Sequence, residues 1–302
     1  MTRRSAFVVF APLVFVLSGT FQYVGAGVAV GLFDRIPAVS VAWSRIAIAA
    51  VVLVLLMRPW RRHWTRRTWW RAVAFGTVLA GMNITFYLAL EYLPLGTAVA
   101  VEFLGPVAVG ALAGRGWRER AAIALAAVGV VLIVGVTLDA GGSDALIGLM
   151  WVLLAAAGWA GYIMLGRRVA TPVPGEPSGL ESLSVSMAVG AVVFAPVGGP
   201  GMVSGDAAPI GDLRLVALLC VVAVFSSVLP YGIDQIVLRH APTARFSVLL
   251  AVFPVTALLV GAVMLAETPT LVEGIGLVAV CAAIALTSKR GPATVETVIP
   301  PE

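Results

Sequence analysis

The strongest constraint on this chain is a succession of ten apolar runs, each about as long as a bilayer is thick, with little sequence between them. They lie near 6–32, 37–57, 70–90, 94–114, 121–138, 147–166, 180–202, 214–238, 242–265 and 270–288. A spanning helix needs about 20 mainly apolar residues, and the short connections leave no room for an inserted soluble domain. Charge settles the class. Only 12% of the 302 residues are charged, against roughly 25% in an ordinary globular domain, too few to cover a water-facing surface. A soluble enzyme, a nucleic-acid-binding domain and a disordered chain are thereby excluded. The start, Met1-Thr2-Arg3-Arg4 and an apolar run, resembles a signal peptide but is too long for a cleaved h-region, and reads as helix 1.

Arginine and lysine set the orientation, because they collect on the cytoplasmic side. With the N-terminus inside, 17 of the 20 basic residues fall on the inner side, six of them between Arg58 and Arg71. The outer loops keep Arg35 and Arg214 and gather Asp34, Glu91, Asp139, Asp144, Asp206, Asp212, Glu267 and Glu273. Ten helices, with both termini cytoplasmic, satisfy this bias; one more or one fewer would invert the later arginines. The run Arg58-Pro-Trp-Arg-Arg-His-Trp-Thr-Arg-Arg-Thr-Trp-Trp-Arg71 is then a cytoplasmic loop with interfacial aromatics touching anionic lipid, not a nucleic-acid patch.

A repeat appears at an offset of 148 residues. Pro94 and Pro106 frame the same interval as Pro242 and Pro254, Glu119 falls on Glu267, and Gly19-x3-Tyr23 is echoed by Gly158-x3-Tyr162. The reading is two five-helix repeats, 1–140 and 141–290, with a cytoplasmic tail over 291–302. An odd helix count forces the second repeat to be inverted, a construction of secondary transporters that places the substrate site between the halves. Pro106 and Pro254 are expected to bend their helices. Gly27-x3-Gly31 and Gly110-x3-Gly114 are candidate close contacts.

Three charged residues lie well inside the runs: Arg45, Glu102 and Asp234. Such a residue costs about 2.5–3.5 kcal/mol at mid-helix and so faces a cavity or a partner. Arg45 and Glu102 are each eight residues from an outer helix start, roughly 12 Å deep at 1.5 Å per residue, and Gln22 and Asn83 come to similar depth. This polar layer can hold a zwitterion, Arg45 taking the carboxylate with its two-pronged fork. Tyr87 shares a helix face with Asn83, Tyr231 is the 148-residue counterpart of Asn83, and Asp234 lies near the inner end of helix 8, beside the helix-weakening Pro230 and Gly232. Substrate binding to Arg45 would loosen its hold on Glu102 and favour proton uptake there, which makes Glu102 the candidate proton-coupling group. The competing reading is an Arg45–Glu102 ion pair that only locks two helices.

No HExxH, GxSxG, GxxxxGK(S/T) or CxxC occurs, and Cys220 and Cys281 lie in apolar runs. No enzyme, cofactor, metal or disulfide is therefore expected. The segments Leu93-Pro-Leu-Gly-Thr-Ala-Val-Ala-Val-Glu-Phe-Leu-Gly-Pro106 and Leu229-Pro-Tyr-Gly-Ile-Asp-Gln-Ile-Val-Leu-Arg239, with Ser44-Arg45 and Val263-Met-Leu-Ala-Glu267-Thr, resemble the EamA-type transporters of the drug/metabolite transporter superfamily. Within it they resemble the branch of bacterial threonine/homoserine exporters. The resemblance implies export of amino acids or similar small metabolites from a bacterial inner membrane, driven by a proton or substrate gradient. Two other readings stay open at this point: uptake or transport of another metabolite or drug-like cation through the same cavity, and a non-transporting scaffold or receptor subunit. The scaffold reading requires the polar layer to be closed by Arg45–Glu102.

Overall fold

The structure is a computed structural model, and it describes residues 3–112, 116–170, 175–203, 209–233 and 252–287. All regular structure among these is helical: α1 (Arg3–Val30), α2 (Ala38–Met57), α3 (Arg66–Ala89), α4 (Leu95–Glu102), α5 (Leu104–Leu112), α6 (Trp117–Ala170), α7 (Gly179–Gly198), α8 (Pro200–Val203), α9 (Leu213–Ala223), α10 (Val252–Met264) and α11 (Leu271–Thr287). Among the described residues seven apolar stretches are long enough to cross a membrane: α2, α3, the α4–α5 pair over Leu95–Leu112, Arg120–Thr137 and Gly142–Gly166 within α6, α7, and Leu213–Ile233, which extends α9. Three shorter apolar helices accompany them, Val16–Val30, Phe253–Met264 and Leu271–Leu286. Large apolar side chains stand outward around the bundle, among them Leu55 (62% exposed), Val192 (74%), Val263 (83%) and Val278 (68%). A surface this apolar is stable against lipid, not water.

Local chemistry fixes the helix ends. Proline precedes α2 and α4 and supplies no side-chain cap, so remote glutamates do so: Glu91 accepts from Ala38 N at 3.4 Å and Glu267 from Leu95 N at 2.7 Å. α7 begins with a capping box, Ser178 and Glu181, and α9 with the Asp212 carboxylate on the N–H groups of Arg214 and Leu215; each satisfies donors that a helix start leaves bare. α6 is two helices that meet at a kink at Gly142, with φ 56° and ψ −131°, a backbone region that is essentially glycine's alone.

The break between α4 and α5 falls at Phe103. Pro106 has no N–H to give the carbonyl four residues back, that of Glu102, and its ring crowds that carbonyl. The helix is thus interrupted where Pro106 is expected to act, immediately after Glu102. For α10, the residues before Val252 lie outside the described set, so the expectation for Pro254 is not resolved there.

α3 lies between α6 and α7, α2 packs on α7, α1 and α4 pack on α10, and α11 lies along α6. α3 and α7 approach so closely that a Cβ on Gly76 would land on the Ser186 carbonyl, and one on Gly190 would sit 2.6 Å from the Gly76 carbonyl oxygen. At one end of the bundle Arg62 and Arg71 pair with Glu181 (2.7 Å) and Glu176 (3.4 Å), tying the start of α3 to that of α7.

Candidate functional site

The polar layer expected from the sequence is assembled in the middle of the bundle, with Arg45 as its hub. Arg45 is 3% exposed. Its Nε donates to Ser227 Oγ at 2.8 Å, its Nη2 donates to Asn83 Oδ1, and its guanidinium lies 4.9 Å from the centre of the Tyr87 ring. A guanidinium carries five donors, and these two bonds use two of them. The cation is therefore held rigidly on one edge and one face, an arrangement that orients a fork.

Asn83 links the hub to the other half of the chain. Its Nδ2 donates to the Leu79 carbonyl at 2.7 Å and to Tyr231 Oη at 3.0 Å, while Tyr231 Oη donates to Asn83 Oδ1 at 3.3 Å in the alternative hydrogen placement. Tyr231 also lies against Tyr162, ring centres 5.9 Å apart, and Tyr162 stacks on Phe75 at 5.1 Å. Polar groups from α2, α3 and the α9 extension are thus joined in one buried network, which specifies a single geometry when satisfied.

Glu102 stands beside this network without closing it. Its side chain is 8% exposed, and among the described residues its carboxylate makes neither a hydrogen bond nor an ion pair, with Arg45 or with any other group. The neighbouring Phe103 ring packs edge-on against Trp159 at 4.5 Å. The competing reading, a locking Arg45–Glu102 bridge, has no such contact behind it: the two charges are near each other, but among the described residues their polar atoms do not touch. Gln22 is half-buried and enters through its backbone, the carbonyl accepting from Ser226 Oγ at 3.0 Å. Asp234 lies outside the described residues.

Ser226 and Ser227 were not singled out as site residues by sequence reasoning. They sit in a π-helical segment, Val224–Val228, that follows α9. The signal was Pro230, which cannot donate to the carbonyl of Ser226. The helix widens by one residue per turn there, and such π-bulges recur at functional sites. The wider turn places Ser226 on Gln22 and Ser227 on Arg45, and returns Tyr231 to Asn83.

Comparison with known proteins gives the family. The model of the EamA-like transporter family matches residues 146–289. The threonine/homoserine exporter RhtA of Salmonella typhimurium (strain LT2) is 34% identical over 274 residues, 89% of this chain and 88% of that protein. Its namesake in Escherichia coli (strain K12) is 32% identical over 259 residues, 86% and 84% of the two chains. A solved crystal structure with 15% sequence identity shares the fold at a TM-score of 0.60, over 92% of this chain and 97% of that one.

Proposed function

Since this chain belongs to the EamA-like transporter family, we propose that it exports small amino acids, threonine and homoserine among them, from the cytoplasm across a bacterial inner membrane by alternating access. The observation that carries the reading is the Arg45 hub: a cation fixed by Ser227, Asn83 and Tyr87, with the unpaired Glu102 carboxylate beside it. A zwitterion fits such a pair. Its carboxylate takes remaining donors of the Arg45 fork in parallel, its ammonium goes to Glu102, and Asn83, Tyr87, Tyr231, Gln22 and Asp234 line the path. Glu102 is the proton-coupling group: the substrate ammonium holds its carboxylate ionised while bound, and a proton takes that place when the substrate leaves.

The fold proposed for this function has ten spans, with the three shorter apolar helices completing the seven longer ones. It has two inverted repeats, 1–140 and 141–290, a tail over 291–302, and both termini cytoplasmic. Contacts support the two-fold relation. Asn83 and its 148-residue counterpart Tyr231 bond to each other, as counterparts do when they sit on the axis. Gln22 touches Ser226. The helix 1 offset, from Gly19 to Gly158, carries Gln22 to Gly161, the 148 offset carries Ser226 to Val78, and a Cβ on Gly161 would lie 3.1 Å from Val78 Cγ1.

Counterflow in proteoliposomes tests the proposal. Vesicles preloaded with unlabelled threonine are expected to accumulate labelled threonine and homoserine, and Arg45→Lys to abolish this by losing the fork. Absence of counterflow with the whole panel of amino acids overturns the amino-acid assignment. If Glu102→Gln leaves the pH dependence of transport unchanged, Glu102 is not the coupling group.

A further inference from the structure

A second polar feature lies apart from the Arg45 network, at the end of the bundle where α4 begins. A cavity of about 400 Å³ opens there between α4, α6, α10 and α11, and its wall includes Thr97, Leu258, Glu267, Thr268 and Glu273. Two carboxylates line it, and none of its lining residues is basic. Glu267 gives Oε1 to Leu95 N, and Glu273 gives Oε2 to Thr270 N and Oγ1. A carboxylate offers about four acceptor positions, so both keep capacity.

Thr97 supplies an independent pointer. It is 6% exposed, it lines the cavity, and among the described residues its hydroxyl has no hydrogen-bond partner. The hydroxyl is open to the cavity, where a donor can meet it. The charge balance points the same way. Burial, together with the negative charge of Glu273, holds the Glu267 carboxyl above the usual carboxylate range, against the pull of the α4 N–H groups.

We propose that this cavity is a binding site for a primary ammonium group, held between Glu267 and Glu273 with the Thr97 hydroxyl as third acceptor. An ammonium has three donors and no acceptor, which matches three acceptors, from α4, from the loop after α10 and from α11; a quaternary ammonium has no donor to give. Two sources carry this group: the amino end of an exported amino acid, and the headgroup of an ethanolamine lipid. The chemistry of the cavity is independent of the proposed transport; only its assignment to the outer face rests on that reading.

The test titrates the full chain, in phosphatidylcholine nanodiscs, with ethanolammonium chloride by calorimetry, choline chloride serving as the control. Ethanolammonium is expected to bind and choline not. Glu273→Gln and Thr97→Val are expected to weaken binding by about tenfold and a few-fold, as loss of a charged and of a neutral partner should. Both variants spare the fold, since glutamine also completes a capping box and valine matches threonine in shape. Equal binding of the two amines, or undiminished binding in Glu273→Gln, overturns the site. Competition by threonine assigns it to the amino acid; weakening in discs containing phosphatidylethanolamine assigns it to the lipid. Counterflow on the same preparations separates the two proposals: intact counterflow without amine selectivity rejects only the cavity, and selectivity without counterflow rejects only transport.

Discussion

Replacing Ser227 with alanine removes a single oxygen from a side chain that is fully buried, and that oxygen accepts from Arg45 Nε at 2.8 Å. The guanidinium is only 3% exposed, so bulk water does not replace the lost acceptor. A hydrogen bond to a charged group is worth about 1.5–3 kcal/mol, and each 1.4 kcal/mol is a factor of ten. The site is therefore expected to lose about ten- to hundredfold in affinity for substrate, because Asn83 alone leaves the fork free to pivot. The assay is threonine counterflow with KM and maximal rate determined separately, alongside thermal melting. Ser227→Ala should raise KM about tenfold or more with a maximal rate within about twofold, and Ser227→Thr, which keeps the hydroxyl, should recover most of the loss. Combined with Asn83→Leu the effects should be non-additive by more than about 0.5 kcal/mol, since both residues hold one guanidinium. A Ser227→Ala protein with unchanged KM and unchanged melting temperature would refute the argument that the π-helical turn positions Arg45.

Gly76→Ala should destabilise the protein by about 1–3 kcal/mol through overpacking, because the new methyl meets the Ser186 carbonyl. Gly81→Ala, whose methyl meets only the Phe194 ring at 3.5 Å, serves as the control, and melting temperatures in detergent compare the two. Pro106→Ala restores a donor to the Glu102 carbonyl and should fuse α4 with α5; unchanged or raised melting temperature with slower counterflow is expected, and full-rate transport would show the break to be dispensable. Glu267 is held above its ordinary value of 4.5, so the folded state binds its proton more tightly than the unfolded chain does. Its contribution to stability is fullest below about pH 4.5 and is lost as pH rises through the folded value. Melting curves should show that slope in the parent and a flatter one in Glu267→Gln.

Much of the fold was legible because a membrane helix announces itself by length and apolarity, and the seven long apolar stretches fall within about five residues of expected runs, whereas the start of the run expected over 242–265 lies outside the described residues. Arg45, Asn83 and Glu102 were legible for the converse reason: a polar side chain in an apolar run is expensive and must face something. Ser227 was not, since serine is small, common and cheap to bury, and its aim depends on a turn widened next to Pro230. The glycine contacts were misjudged as well. Gly27 meets the Met264 side chain at 3.3 Å, whereas the closest helix approach uses Gly76 and Gly190, which no local spacing marks. The caps supplied by Glu91 and Glu267 reach across 53 and 172 residues, beyond any sequence window.

The hydrogen bond between Asn83 and Tyr231 has a consequence for the energetics of the proposed cycle. In a rocking motion where the two halves trade conformations, every contact is carried onto the contact between the counterparts of its members. A bond between counterparts is carried onto itself, so Asn83–Tyr231 acts as a fulcrum that survives the stroke. The Gln22–Ser226 bond has no such immunity, because its mirror contact joins Gly161 to Val78, where no hydroxyl is available. In the proposed cycle one end state would therefore hold a hydrogen bond that the other lacks, a difference that would favour the conformation described here before any substrate arrives.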